Sequence, residues 1–351
     1  MKIALIAPPF IAVPPKKYGG TELFISELAS SLSRQGIDVT VYANGESTVP
    51  VELRWIYEKE NWPIRGEVDT SLKGLNHAAW AVKEAAGDAD IIHLNSACGL
   101  SFSRYVETPL VYTVHHAHEP ELTDYYMSMS PDISYVSISD FQRSKLPLAR
   151  IQTIHHGIDP NCYRIAPKKR PYLSFLGRIA PSKGTHIAIE IAKLSGIPLK
   201  IAGEIQPAYT QYWEHAVRPH IDGRFIEYIG EIGLEEKNEL LGSSMAMLFP
   251  IQWDEPFGLV MIEAMACGTP VLATPGGSVR EVVEEGISGY VRFSPSELAD
   301  CARELKIAPE TVRQHFEQHF SVDRMAEDYS QLYSEVLSGS QRDMRSEHLA
   351  A

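Results

Sequence analysis

The chain has 351 residues, enough for two domains of ordinary size with a core each. Apolar residues make up 44% and charged residues 22%, the balance of a globular protein, and a formal charge of -13 without a basic stripe argues against a nucleic-acid partner. Cys98, Cys162, Cys267 and Cys301 stand far apart with no C-x-x-C pair, which argues against a zinc ribbon or a dense disulfide framework and fits a reducing cytoplasm.

Lys2 to Ala7 is a short apolar run that stops at Pro8-Pro9. It is too short for a signal peptide and carries no cleavage site, so it is expected to be a first buried strand. A long loop reaches Gly20, and helical spacing follows from Thr21 to Gln35 through Leu23, Phe24, Leu28 and Leu32, with Gly36 as the stop. Strands are predicted at Val39 to Ala43, Ile91 to Leu94, Leu110 to Val114, Tyr135 to Ile138 and Ile151 to Ile154. Helices are predicted at Leu72 to Ala86 and Phe141 to Leu148. After a proline-rich break, Pro160 to Pro171, the alternation restarts with strands at Tyr172 to Leu176, Leu199 to Ala202, Phe225 to Ile229, Ala246 to Phe249, Val271 to Ala273 and Tyr290 to Phe293. Two α/β halves with mostly parallel, doubly wound sheets are the expected architecture. Past Ser294 the pattern is helical to about Leu337, and Ser338 onward is polar and expected to fray.

Chemistry concentrates in the stretch from Trp253 to Ala273. Pro256 reads as a first-turn proline, and Leu259, Ile262 and Ala266 keep helical spacing up to Cys267-Gly268. Glu255 then stands at the mouth of the helix and Glu263 rides on it. The first-turn amides of Phe257, Gly258 and Leu259 would offer donors to an anion. Hydroxyls at both ends with phosphates between them describe a nucleoside diphosphate sugar.

Arg178 and Lys183 lie in Gly177 to Thr185, at the carboxyl end of the first strand of the second half, where open α/β sheets bind ligands. Gly19 and Gly20 precede the first helix and admit close backbone approach. His115 and His116 end a buried strand, with His118 and Glu119 behind them. A metal cluster is disfavoured there because neighbours on a strand point to opposite faces. Asp88-Ala89-Asp90 precedes its strand, at the amino end and away from a site. His155 to Asp159 reads as a turn.

These motifs, in this order, resemble a known family. E-P-F-G-L-x-x-x-E followed by A-M-A-C-G-T-P-V is similar to the E-x7-E signature of family 4 retaining glycosyltransferases (glycosyl transferases group 1), which have the GT-B fold: two Rossmann-like domains facing a central cleft. The resemblance implies an acceptor-side domain at 1–165, a nucleotide-sugar domain at 166–320 and a last helix, 321–338, crossing back to the first. It implies that Glu263 and the Phe257, Gly258 and Leu259 amides bind the donor, and that Glu255 holds its sugar hydroxyls. Arg178 and Lys183 would hold the diphosphate, Ile232 would lie by the base, and Gly19, Gly20 and His115 would complete the site. His116 stands where relatives have an acidic residue, and His156 where they have Asn.

The function expected from this is transfer of a hexose or N-acetylhexosamine from a nucleoside diphosphate sugar, a UDP-sugar ahead of GDP-mannose, to a hydroxyl acceptor. No metal or other cofactor is expected, and no dedicated general base is evident. An epimerase of the same fold and a non-catalytic nucleotide-sugar binding protein are the alternatives. The predicted first helix carries Glu22, Glu27 and a single Arg34, so at most weak peripheral contact with a membrane is expected.

Overall fold

The computed structural model describes residues 1–350 apart from 18, 63, 65 and 66, with side chains omitted for 67–70 and 340–350. The chain divides into two compact units, Ile158–Ser321 forming the second and the flanking segments forming the first. The division falls after Gly157, ahead of the proline-rich stretch that marks it in the sequence. Ile158 donates its amide to the Phe320 carbonyl (3.1 Å) and bridges Ser321, so outgoing and returning chain run side by side there.

The first unit contains β1 (Lys2–Ile6), α1 (Gly20–Arg34), β2 (Asp38–Tyr42), β3 (Glu52–Arg54), α2 (Glu67–Ala86), β4 (Ile91–Leu94), β5 (Leu110–Val114), α3 (Pro120–Met129), β6 (Ile133–Ser137), α4 (Asp140–Ser144) and β7 (Ile151–Thr153). Its strands form a parallel seven-stranded sheet in the order β3-β2-β1-β4-β5-β6-β7. Runs such as Ile91–Leu94 are buried at every position because helices cover both faces of a parallel sheet. α1 buries Phe24, Ile25, Leu28 and Leu32, each removal from water contributing roughly 1.5–3 kcal/mol. α4 is shorter than the predicted 141–148 because Pro147 cannot continue a helix; Ser139 caps its start, accepting from the Gln142 amide (3.1 Å).

The second unit runs β8 (Leu173–Leu176), α5 (Thr185–Ser195), β9 (Leu199–Ala202), α6 (Thr210–Tyr212), β10 (Ile226–Gly230), α7 (Leu234–Ser243), β11 (Ala246–Phe249), α8 (Leu259–Ala266), β12 (Val271–Ala273), α9 (Val279–Val282), β13 (Gly289–Val291), α10 (Pro295–Arg303) and α11 (Pro309–His319). Its six parallel strands are ordered β10-β9-β8-β11-β12-β13. In both sheets the chain winds one way from its first strand and then returns to that strand's other side. The reversal lies between β1 and β4 in the first unit and between β8 and β11 in the second, which is where such sheets open a crevice for ligands.

α12 (Val322–Ala350) ends the chain and packs on α1 within the first unit, burying Met325, Ala326, Tyr329 and Tyr333 in the core beneath β1 and β2. It runs past Leu337 instead of ending there, since Gln341, Arg342, Met344 and Arg345 are good helix formers. Among the described residues, no helix is long and apolar enough to cross a membrane.

Candidate active site

The loops after β8 and β11 meet at the reversal point of the second sheet. Gly184 adopts φ 72°, and a Cβ there would stand 1.9 Å from the Pro250 carbonyl oxygen, so only glycine allows the approach. The Gln252 amide donates to the Ser182 carbonyl (2.7 Å) alongside. This contact carries Lys183 to Glu255. Lys183 Nζ donates to Glu255 Oε2 at 2.5 Å and sits 4.8 Å from the centre of the Trp253 ring, while Trp253 Nε1 donates to the same oxygen at 2.7 Å. Glu255 is only 8% exposed, so solvent screens the pair less than a surface one and the loss of either partner leaves a poorly solvated charge. Arg178, half-buried on the same loop, reaches the Gln206 amide oxygen at 3.4 Å.

α8 begins at Leu259, not in a turn opened by Pro256. Gly258, at φ 87°, is its N-cap, and the left-handed residue breaks the helix before Pro256. The Leu259 amide therefore remains a first-turn donor, whereas Phe257 and Gly258 belong to the approach loop. Phe257 is buried, and its carbonyl accepts from Ser278 Oγ (2.7 Å). The loop after β12 also supports the site from below: the Ser278 amide donates to the Glu255 carbonyl (3.0 Å) and the Gly277 amide to Asp254 Oδ1 (3.3 Å).

Glu263 lies one turn into α8 and is 1% exposed. Tyr163 Oη (3.0 Å) and Lys237 Nζ (2.8 Å) both donate to its Oε1, which fixes the carboxylate's orientation while Oε2 receives neither. Ile232 is buried just beyond β10, and Gly233 after it caps α7 with Glu236. Arg178, Lys183, Glu255, Leu259, Glu263 and Ile232 thus all stand at carboxyl ends of strands in one unit.

In the first unit, Gly19 precedes α1 at φ 150°, crowded so that a Cβ would meet Pro15 at 2.8 Å and Glu22 Oε2 at 2.9 Å. Gly20 opens the helix and is exposed. Glu22 is buried beside them, and burial pushes its carboxyl up to about 7. His115 is held by Asn95, Nε2 to Oδ1 at 2.9 Å, and its ring stacks on His156 with centroids 5.6 Å apart. Burial holds both rings neutral, His115 well below the ordinary histidine range and His156 near 3. His116 pairs with the Tyr126 hydroxyl (2.6 Å) and His118 with Thr123 (3.2 Å), so the three histidines serve separate partners. Within either unit the described residues bring no three His, Cys, Asp or Glu ligand atoms together. Asp88 bonds Lys2 (2.7 Å) and Arg54 (2.9 Å), and Asp90 accepts from the Lys2 amide (2.7 Å), at the amino edge of the sheet.

The family described as Glycosyl transferases group 1 matches residues 164–318, and Glycosyltransferase Family 4 matches residues 18–161. The chain belongs to the group 1 glycosyltransferases. A D-inositol 3-phosphate glycosyltransferase of Mycobacterium marinum is 26% identical over 334 residues, covering 77% of this chain and 69% of that one. AviGT4, a glycosyltransferase involved in avilamycin A biosynthesis, superposes with TM-score 0.74 at 24% identity, covering 96% of this chain and 98% of its own. Anabaena HepE in complex with UDP and glucose gives 0.75 at 20% identity, covering 95% and 100%. The fold of this glycosyltransferase is accordingly GT-B.

Lys237 and Tyr163 escape a reading of this glycosyltransferase by motif. Lys237 looks like one more cation on a charged helix, and Tyr163 falls in the proline-rich break; neither is near Glu263 in sequence. The glycine pair Gly276-Gly277 at the carboxyl end of β12 was the available signal for the supporting loop.

Proposed function

We propose that this glycosyltransferase moves a hexose or N-acetylhexosamine, with retention, from a nucleoside diphosphate sugar to a hydroxyl acceptor, and that its donor is a UDP-sugar in preference to GDP-mannose. The observation that carries the reading is the Lys183–Glu255 pair at the reversal point of the second sheet, with Glu263 oriented one helix turn away. Glu263 Oε2 accepts a ribose hydroxyl, the Leu259 amide and Arg178 meet the diphosphate, and Lys183 shifts from Glu255 towards the leaving phosphate. Glu255, released, takes the sugar hydroxyls. Ile232 lies by the base, and Gly19, Gly20 and His115 serve the acceptor side. A departing phosphate oxygen takes the acceptor proton, so no side chain acts as general base. The UDP and glucose of HepE suit a donor of this kind. Among the described residues no disulfide joins the four cysteines, which suits the cytoplasm.

Separate titrations test the two carboxylates. Glu263→Gln is expected to weaken binding of UDP and of the intact donor alike, by roughly 1–3 kcal/mol for a lost charged hydrogen bond. Glu255→Gln removes the anion that competes for Lys183, so UDP binds no more weakly while transfer falls. Calorimetry of both variants with UDP and UDP-glucose decides the matter, and equal loss of UDP affinity in the two would rule out separate ribose and sugar roles.

The same reading includes turnover without a metal, and the Lys2 and Arg54 bonds to the D-x-D carboxylates support it. Turnover in excess EDTA should equal turnover in buffer. Loss that Mn²⁺ restores in a single-turnover measurement would contradict it.

A further inference from the structure

The first unit has its own reversal point, between β1 and β4, and a cavity of about 210 Å³ lies there. The turn after β1 (Pro8, Pro9, Phe10) and the turn after β4 (Ser96, Cys98, Gly99) wall it, with Gly74 and His77 of α2 behind. It is smaller than the roughly 300–1,000 Å³ clefts that take drug-sized ligands, so it admits one ring-sized group.

His77 is 1% exposed and neither ring nitrogen has a hydrogen-bond partner among the described residues. The carbonyls of Tyr42 and Ala7 approach the ring and favour its proton, yet neither closes a bond on it. Burial outweighs them and holds the ring neutral, with its pKa lowered to about 4. A neutral imidazole offers one donor and one acceptor, and a hydroxyl answers both. Among the described residues, no Lys, Arg, Asp or Glu lines the cavity; Lys73, whose charge is felt at His77, sits instead over the Tyr57 ring at 4.7 Å, and Lys16 on the nearby loop is paired with Glu60 at 3.4 Å.

We propose that this cavity takes the acceptor, and that the acceptor presents an uncharged ring bearing a hydroxyl and an apolar face, as a neutral glycoside does, not a phosphorylated polyol. The inference rests on the transferase reading for the word acceptor, but the site can be tested without turnover. An anion in this cavity would be desolvated without a counter-charge, at a cost that a neutral ring avoids. The C–H face of a pyranose packs on Phe10 and Leu94 while a hydroxyl reaches His77.

Cys98 lines the cavity and is exposed, so its reaction with N-ethylmaleimide, followed by mass spectrometry, reports occupancy; exposed Cys162 in the other unit is the internal control. With the full chain, p-nitrophenyl β-D-glucoside should slow modification of Cys98 at least fivefold at saturation and leave Cys162 unchanged, whereas D-myo-inositol 3-phosphate should not. Protection should be lost in His77→Phe and in Gly74→Leu. Gly74→Leu keeps the helix, because a Cβ at Gly74 meets Phe10 at an ordinary 3.5 Å, and its side chain fills the cavity. Both variants should keep the parent's circular dichroism and Cys162 reactivity, which shows that they fold. Unchanged Cys98 reactivity with the glucoside, or protection by the inositol phosphate at equal or lower concentration, overturns the proposal. Failure of the transferase reading would appear instead as no UDP binding by the parent protein, and the labelling result would stand apart from it.

Discussion

Lys183→Ala should lower kcat by about two orders of magnitude or more, the loss expected when a cation that stabilises charge developing on a leaving group is removed. Two effects combine in that figure. The lost ammonium no longer meets the departing diphosphate, and Glu255, 8% exposed, keeps only Trp253 as a partner. A buried carboxylate deprived of its counter-charge is costly, so it either takes a proton or draws in water, and its alignment to the sugar suffers. The double variant Lys183→Ala/Glu255→Gln separates these contributions. Because the two side chains share one ion pair, the double variant should turn over about as slowly as Lys183→Ala alone, far short of the product of the single losses. Single-turnover rates at saturating donor are the measurement. A kcat for Lys183→Ala within threefold of the parent removes the leaving-group role, and strictly multiplicative losses would mean that the pair acts as two independent groups.

That coupling had no signal in the sequence. Lys183 and Glu255 fall in separate motifs far apart in the chain and were assigned to different parts of one ligand, yet the structure bonds them to each other. Strands were legible to within a residue or two, because a strand buried on both faces leaves a continuous apolar run bounded by turn residues, as at Ile91–Leu94 and Ala246–Phe249. The starts of α1 and α4 also fall within a residue of the expected positions, but that of α8 does not. Gly258 takes a left-handed conformation that resets α8 three residues after the proline expected to open it, in a setting where an added Cβ would meet Met261 at 2.8 Å, and nothing in the local residue order announces that turn. Short β3, with its exposed first residue, lacks the apolar run that betrays a strand, and so went unread. Glu263 could be placed on its helix from spacing alone. The pair that orients it could not, since Lys237 arrives from α7 and Tyr163 from the connecting segment.

The first unit should lose stability steeply between about pH 6 and pH 5, well above the range where its surface ion pairs titrate. Burial lowers the pKa of His77 to about 4 and of His93 and His156 to about 3, and holds His115 well below its ordinary value. In the unfolded chain these rings take a proton near pH 6.5. Below that pH the unfolded state binds protons that the folded state refuses, so falling pH favours unfolding until the buried rings themselves titrate. Glu22 works in the other direction: its folded pKa of about 7 means that the fold holds a proton which the unfolded carboxylate releases above about 4.5, so this group adds stability as pH falls from 7. Four rings against one carboxylate leave a net of three protons, or about 4 kcal/mol per pH unit as an upper figure. The break has a defined place. His93 bonds Tyr333 (2.7 Å) through one nitrogen and Thr113 (2.8 Å) through the other, and Thr113 in turn bonds Tyr329 (2.8 Å), so this network ties α12 to β4 and β5. A protonated His93 ring could donate at both nitrogens but would carry an unpaired charge among buried hydroxyls. Hydrogen exchange at pH 7.5, 6 and 5 should therefore show α12 and the first unit's strands losing more protection than β8 to β13, where His186 and His315 are lowered less, and His156→Phe should shallow the slope by about one proton. Equal loss in both units, or a stability unchanged from pH 6.5 to 5, would mean that the buried rings do not govern the acid response.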